Sequence, residues 1–184
     1  MEGVERYKVR LLPHNTEWEK EYEEVKNQIL SIWNNNIVNI EHVGSTAIKN
    51  ICAKPILDIA VRLKSIYNMD VKNMTCLGYD YCGKQGDNSK HHLFVLRDKD
   101  MLSLRHIHCY NINDNEFFQL TAFRDYLNAH PDEAVKYMNL KIQLANKFQN
   151  DRNSYTNGKK DFILGIYKKI SSCSEKALKD RAEK

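Results

Sequence analysis

The stretch Glu41-His42-Val43-Gly44-Ser45-Thr46, followed after a short connection by Lys54-Pro55-Ile56-Leu57-Asp58-Ile59-Ala60-Val61, decides how the rest of the chain is read. It predicts an apolar strand ending at a Gly-Ser turn, then a second apolar strand that carries one acid. Side chains alternate along a strand, so Leu57, Ile59 and Val61 belong to a core face while Asp58 and Ala60 share the other. An ionised carboxylate among aliphatic residues is costly to bury unless it is paired, coordinated to a cation, or set where the sheet opens into a cleft. Asp58 is therefore a candidate for chemistry. Gly44-Ser45 suits a turn whose N–H groups and hydroxyl approach an anion closely, because glycine has no Cβ to hold the ligand away. The plainer alternative is an ordinary turn after a strand.

Working outward, residues 7–12 predict a short strand, Pro13 breaks it, and Thr16 stands three residues before Glu19 as a capping box. A helix follows, with Trp18, Tyr22, Val25, Ile29 and Ile32 or Trp33 as its apolar stripe. Glu21, Glu23, Glu24 and Lys26 form its solvated face, which argues against a metal site there. Asn34-Asn35-Asn36 ends the helix and residues 37–43 supply the first strand of the site. Beyond the second strand, a helix is expected over 66–77, closed by Gly78 in a left-handed conformation. Residues 79–82, 91–96 and 102–110 predict three more strands, with a polar loop over 83–90.

Two helices then carry Phe117, Leu120, Phe123 and Leu127, and, after Pro131, Val135, Met138, Ile142, Ala145 and Phe148 facing inward. A last helix from about Asn157 holds Phe162, Ile163, Ile166 and Ile170. Bunched strands followed by helices favour an α+β layout, a small mixed sheet covered on one side, over a doubly wound sheet. Residues 1–170 are expected as one domain and 171–184 as a charged, frayed tail.

Composition narrows the function classes. Hydrophobic residues make up 42% and charged residues 28% of 184, with a net charge of +4. That balance suits an anionic small substrate or a nucleotide; dense Lys/Arg clusters for a nucleic-acid duplex are missing, so nucleic acid is not the expected partner. The five cysteines, Cys52, Cys76, Cys82, Cys109 and Cys173, are an odd count with no CxxC pair, which suggests neither a disulfide framework nor a zinc ribbon and fits reduced thiols. Neither an apolar leader nor a bilayer-length apolar run is present, so a cytoplasmic protein with no membrane partner is expected.

Leu104-Arg105-His106-Ile107-His108-Cys109-Tyr110 sets His106 and His108 two apart on one strand, hence on one face. Two imidazoles so placed can converge on one cation or one anionic oxygen. Neutral histidine suits Zn, Mn or Fe, whereas Mg prefers carboxylates and water. His91-His92 lie beside a loop and are expected in solvent. Arg124, within Phe123-Arg124-Asp125-Tyr126-Leu127, offers a planar fork for phosphate or carboxylate, or an internal ion pair with a nearby acid. Lys141 and Lys159 either close over a phosphate or lie at the surface.

Glu41 to Ala47, Ala53 to Ile59, Leu77-Gly78-Tyr79, His106-Ile107-His108, Phe123 to Leu127, His130-Pro131 and the segment from Tyr155 to Phe162 together resemble the GrpB family of bacterial proteins. The resemblance spans residues 9–167. It implies a nucleotidyltransferase-like fold, which in this family occurs both free-standing and fused to dephospho-CoA kinase. In that superfamily a Gly-Ser turn binds nucleotide phosphates and two acids, spaced one residue apart on the next strand, hold divalent metal. Gly44, Ser45 and Asp58 fall on those positions, but Ala60 replaces the second acid, so ordinary two-metal transfer lacks a ligand.

The expected function is thus a nucleotidyltransferase-like enzyme acting on a nucleotide or phosphorylated small molecule. Asp58, His106 and His108 would hold a divalent Mg, Mn or Zn ion or act as acid and base, with Glu41 as a further catalytic or ligand residue. Gly44, Ser45, Thr46, Lys54, Arg124, Lys141 and Lys159 are the phosphate-binding candidates. The competing expectation is a non-catalytic phosphate-binding or folding-accessory domain.

Overall fold

The computed structural model describes residues 1–86 and 91–182, with side chains to residue 172. A mixed five-stranded sheet in the order β1-β2-β5-β4-β3 forms its centre. The strands are β1 (Ile37–Val43), β2 (Leu57–Leu63), β3 (Tyr79–Lys84), β4 (His92–Arg97) and β5 (Ser103–Asn111). Only β2 and β5 run parallel; the other neighbours are antiparallel. The helices are α1 (Glu17–Trp33), α2 (Val71–Cys76), α3 (Asn115–Ala129), α4 (Pro131–Lys147), α5 (Arg152–Asn157) and α6 (Lys160–Ala182).

Alternation on β2 gives the sheet its two faces. Leu57, Ile59, Val61 and Leu63 are fully buried with Val25, Ile29 and Trp33 of α1, Met74 of α2, and Phe94 and Ile107. Trp33 rather than Ile32 completes the α1 stripe, and Trp33 Nε1 donates to the Asp70 carbonyl at 3.3 Å. The opposite face is not bare, as a one-sided layout required. There α3 lays Phe117 and Leu120 on Val43, Ala60 and Tyr110. A separate helical core joins α3, α4 and α6 to Ile48 and Ile51 of the β1–β2 connection. A hollow beside Asp58 opens on this face.

Several local expectations give way to tertiary contacts. Residues 7–12 form no strand, only a single bridge from Leu12 to Ala53. Thr16 precedes α1 in helical conformation without a side-chain cap; Asn15 Oδ1 instead accepts from the Glu17 N–H at 3.0 Å. Glu21, assigned to water, is drawn inward by Arg105 Nε at 2.8 Å. The 66–77 helix is split into a single turn and the short α2, capped by Asp70, which accepts from the Asn73 N–H. On α4 the buried side is Ala134, Tyr137 and Lys141, one position round from the expected stripe, leaving Val135 and Ile142 exposed. The last helical stretch is two helices, α5 and α6, and α6 continues to Ala182, past the Ser171 where the charged tail begins. Residues 87–90 of the polar loop, and the side chain of Cys173, lie outside the described residues.

Candidate metal and phosphate site

Parallel pairing of β2 with β5 puts Asp58 opposite His106 and Ala60 opposite His108, all on the α3 side of the sheet. Both rings reach one carboxylate oxygen: His106 Nδ1 lies 3.1 Å and His108 Nε2 3.5 Å from Asp58 Oδ1. One nitrogen from each ring and one carboxylate oxygen all lie within 4.8 Å of one another. A tetrahedral zinc at its usual bond lengths sets ligand atoms about 3.3–3.6 Å apart, so a small contraction suffices to enclose an ion. Taking one requires each ring to carry its proton on the nitrogen facing away. Burial alone would raise the Asp58 carboxyl, but the hydrogen bonds and charge of His106 and His108 outweigh it and hold the group well below the usual carboxylate range. Asp58 is thus ionised at any ordinary pH, as a ligand must be.

The Gly-Ser turn closes one wall. Gly44 has φ 73° and ψ −170°, a region open in practice to glycine alone, and a Cβ there would lie 2.6 Å from Asp58 Oδ2. Ser45 begins a tight turn next to the carboxylate, and its side chain lines the hollow.

Three cations share a hollow with the triad. A cavity of about 240 Å³ is lined by Ser45, Asp58, His106 and His108 together with Lys54, Arg152, Tyr155, Thr156 and Lys159. The ammonium groups of Lys54 and Lys159 lie 5.6 and 4.6 Å from the centroid of the buried Tyr155 ring. None of Lys54, Arg152 and Lys159 has a carboxylate partner among the described residues. Burial lowers Lys54 to about 8, with repulsion from Arg152 and Lys159 adding and Asp58 opposing. Burial likewise lowers Lys159 to about 8, against the pull of Asp58 and with the push of Arg152.

Of the sequence candidates, Ser45, Lys54, Asp58, His106, His108 and Lys159 meet in this hollow and Gly44 abuts it. Four do not line it. Arg124 spends its fork on Glu41 at 2.8 Å, Asp125 at 2.7 Å and the His42 carbonyl at 2.7 Å. That arrangement holds α3 to β1 and occupies Glu41 as well. Thr46 is buried, its hydroxyl 2.9 Å from His42 Nε2. His42 itself is lowered by burial to about 4, is neutral near pH 7, and stacks on Tyr22. Lys141 is buried with its ammonium on the Cys52 carbonyl and against Tyr137, and burial brings it down to about 7. His91, expected in solvent, is half-buried, with Nδ1 3.2 Å from Glu116 and its ring packed against His108.

Arg152, Tyr155 and Thr156 were not picked out as site residues by sequence. A signal was present, since 152, 155, 156 and 159 follow the i, i+3, i+4, i+7 spacing of one helix face.

A mixed sheet with a Gly-Ser turn facing an acid on the adjacent strand is consistent with the nucleotidyltransferase-like class. The family model described as GrpB protein matches residues 8–169, and the chain belongs to the GrpB family. It is 35% identical over 167 residues to the glutamate-rich protein GrpB of Alkalihalophilus pseudofirmus, covering 89% of this chain and 96% of that one. It is 32% identical to the UPF0157 protein YqkA of Bacillus subtilis, over 85% of this chain and 45% of the relative. The crystal structure of conserved protein GrpB from Enterococcus faecalis superposes with a TM-score of 0.80 at 29% identity, covering 88% of this chain and 96% of that one. A dephospho-CoA kinase of Mycolicibacterium paratuberculosis is 22% identical, with 47% of its length matched. No described helix is long and apolar enough to cross a membrane.

Proposed function

We propose that the protein is a metal-assisted enzyme of the nucleotidyltransferase-like class acting on a nucleotide or phosphorylated small molecule. The observation that carries this reading is the pairing, in one hollow, of an Asp/His/His set with three cations that have no acid partner among the described residues. Asp58, His106 and His108 hold one divalent ion, and the two imidazoles favour Zn or Mn over Mg. Bound there, the ion supplies Lewis-acid polarisation of a phosphoryl oxygen. Lys54, Lys159 and Arg152 neutralise the remaining phosphate oxygens, Arg152 through its planar fork. Ser45 and the Gly44 backbone bring the turn against the same group.

Ala60 favours a second reading. It is fully buried in the cluster with Val43, Tyr110 and Phe117, and no second carboxylate joins Asp58, His106 and His108 among the described residues. A single ion cannot clamp both attacking and leaving oxygens, and a phosphate-binding accessory domain without turnover fits that lack. Thermal-shift and calorimetric titration of the full chain with Zn, Mn or Mg, alone and with nucleotides, separates the two. Stabilisation requiring ion and nucleotide together, with product formed, supports the enzyme. Nucleotide binding unaffected by ions or by Asp58→Asn overturns the metal assignment.

A further inference from the structure

Next to the triad cavity lies a second hollow of about 550 Å³, lined by Arg6, Tyr7, Arg152, Asn153, Thr156 and Asn157. Arg152 and Thr156 line both, so the two hollows adjoin at these side chains. Its chemistry differs from that of the first. Among the described residues no carboxylate lines it, two amide side chains and a hydroxyl offer donors and acceptors, and Tyr7 is 66% exposed with Arg6 5.5 Å from its ring centroid. Arg6, like Arg152, has no acid partner among the described residues.

An exposed tyrosine on a floppy terminus would mean little, but this segment is fastened on both sides. The Gly3 N–H donates to the Pro55 carbonyl at 3.1 Å, Val4 pairs with Ser103, and the Val9 N–H donates to the Gln149 carbonyl at 2.9 Å. Between these anchors the Lys8 N–H closes a turn on the Glu5 carbonyl at 3.2 Å, which fixes the backbone on either side of Tyr7. The ring is thus presented over the hollow from a held loop and ordered in advance of any ligand.

We infer that the second hollow receives the base of a nucleoside phosphate, stacked on Tyr7 and edge-bonded by Asn153 and Asn157, while Arg152 bridges to the phosphate in the first. This rests on the phosphate-binding reading of the triad cavity and narrows it from any phosphorylated molecule to nucleotides. A sugar phosphate can bond the amides through its hydroxyls but brings no planar face to Tyr7. A planar base uses both, since every base has a face to stack and an edge of donors and acceptors.

The test is calorimetric titration of the full chain, in MnCl2, with inorganic pyrophosphate, ribose 5-phosphate and the diphosphates of adenosine, guanosine, cytidine and uridine. At least one nucleoside diphosphate is expected to bind about tenfold or more tighter than pyrophosphate, the gain that one base stack supplies. Tyr7→Ala should erase that gain and leave pyrophosphate unchanged, and Tyr7→Phe should restore it. Nucleoside diphosphates that bind no tighter than pyrophosphate overturn this inference while leaving the phosphate site standing. Equal weakening of both ligands by Tyr7→Ala overturns it too, because the ring would then act only through structure. If pyrophosphate and ribose 5-phosphate also fail to bind, the phosphate-site reading falls and takes this inference with it.

Discussion

Two groups of charges lie on the α3 side of the same sheet, and they are settled in opposite ways. Arg124 is enclosed by Glu41, Asp125 and a backbone carbonyl, so its charge is neutralised within the protein. Lys54 and Lys159 are gathered against one tyrosine, and with Arg152 they line a hollow whose one carboxylate among the described residues, Asp58, already serves two histidines. The first group stabilises the join between α3 and β1. The second carries repulsion that the fold retains, and such strain is the usual mark of a place built for a ligand. A partly buried arginine therefore gives no hint of function until its partners are counted.

The contrast can be broken at its strongest point. Asp58→Asn keeps the shape, removes the charge that the cations and imidazoles share, and is expected to cost at least about 100-fold in Mn or Zn affinity by calorimetry. Gly44→Ala forces a side chain into a backbone region reserved for glycine and against Asp58, so denaturant unfolding should show a loss of about 1–3 kcal/mol. Retained full stability would mean that the turn is free to relax and does not press on the carboxylate.

Paired substitutions sharpen the comparison. Arg124→Met should destabilise by about 1–3 kcal/mol, because Glu41 loses its partner, and should leave pyrophosphate binding alone. Lys159→Met should do the reverse, weakening pyrophosphate about tenfold or more while unfolding stability holds or rises by about 0.5 kcal/mol. The same pattern in both variants would erase the distinction.

The gentlest probe is pH. Lys54 and Lys159 both titrate near 8 in the folded protein, below the ordinary lysine value. Between 8 and that ordinary value the unfolded chain binds more protons than the folded one, so their contribution to stability rises with pH across this window. Phosphate affinity should fall over the same interval, with a slope of up to one proton per lysine. Opposite trends in melting temperature and affinity are the expected result; parallel trends would place the two lysines outside the binding event.

What was legible in the sequence followed strand periodicity. Alternation around Asp58 and between His106 and His108 put each on its correct face, because a two-residue repeat needs no knowledge of the neighbouring strand. What was not legible depended on partners distant in the chain. For Arg124 the sequence left a phosphate fork and an internal ion pair side by side, because Glu41, which decides between them, is 83 residues away. Lys141 looked like a surface or phosphate lysine because nothing local shows that its stem fills the α4 interface and that the Cys52 carbonyl waits at its end. Arg152 went unnoticed because α5 comes to the pocket only through tertiary packing, although its helical spacing with Tyr155 and Lys159 was there to be read.

Ala60 has one more consequence. Its methyl group sits against Phe117 and Tyr110 with no solvent beside it. Writing an aspartate there would thrust a negative group into a floor of rings, so a one-codon edit cannot turn this scaffold into a two-ion machine. An engineer seeking that conversion would have to hollow the floor first, by trimming Phe117, and only then add the carboxylate.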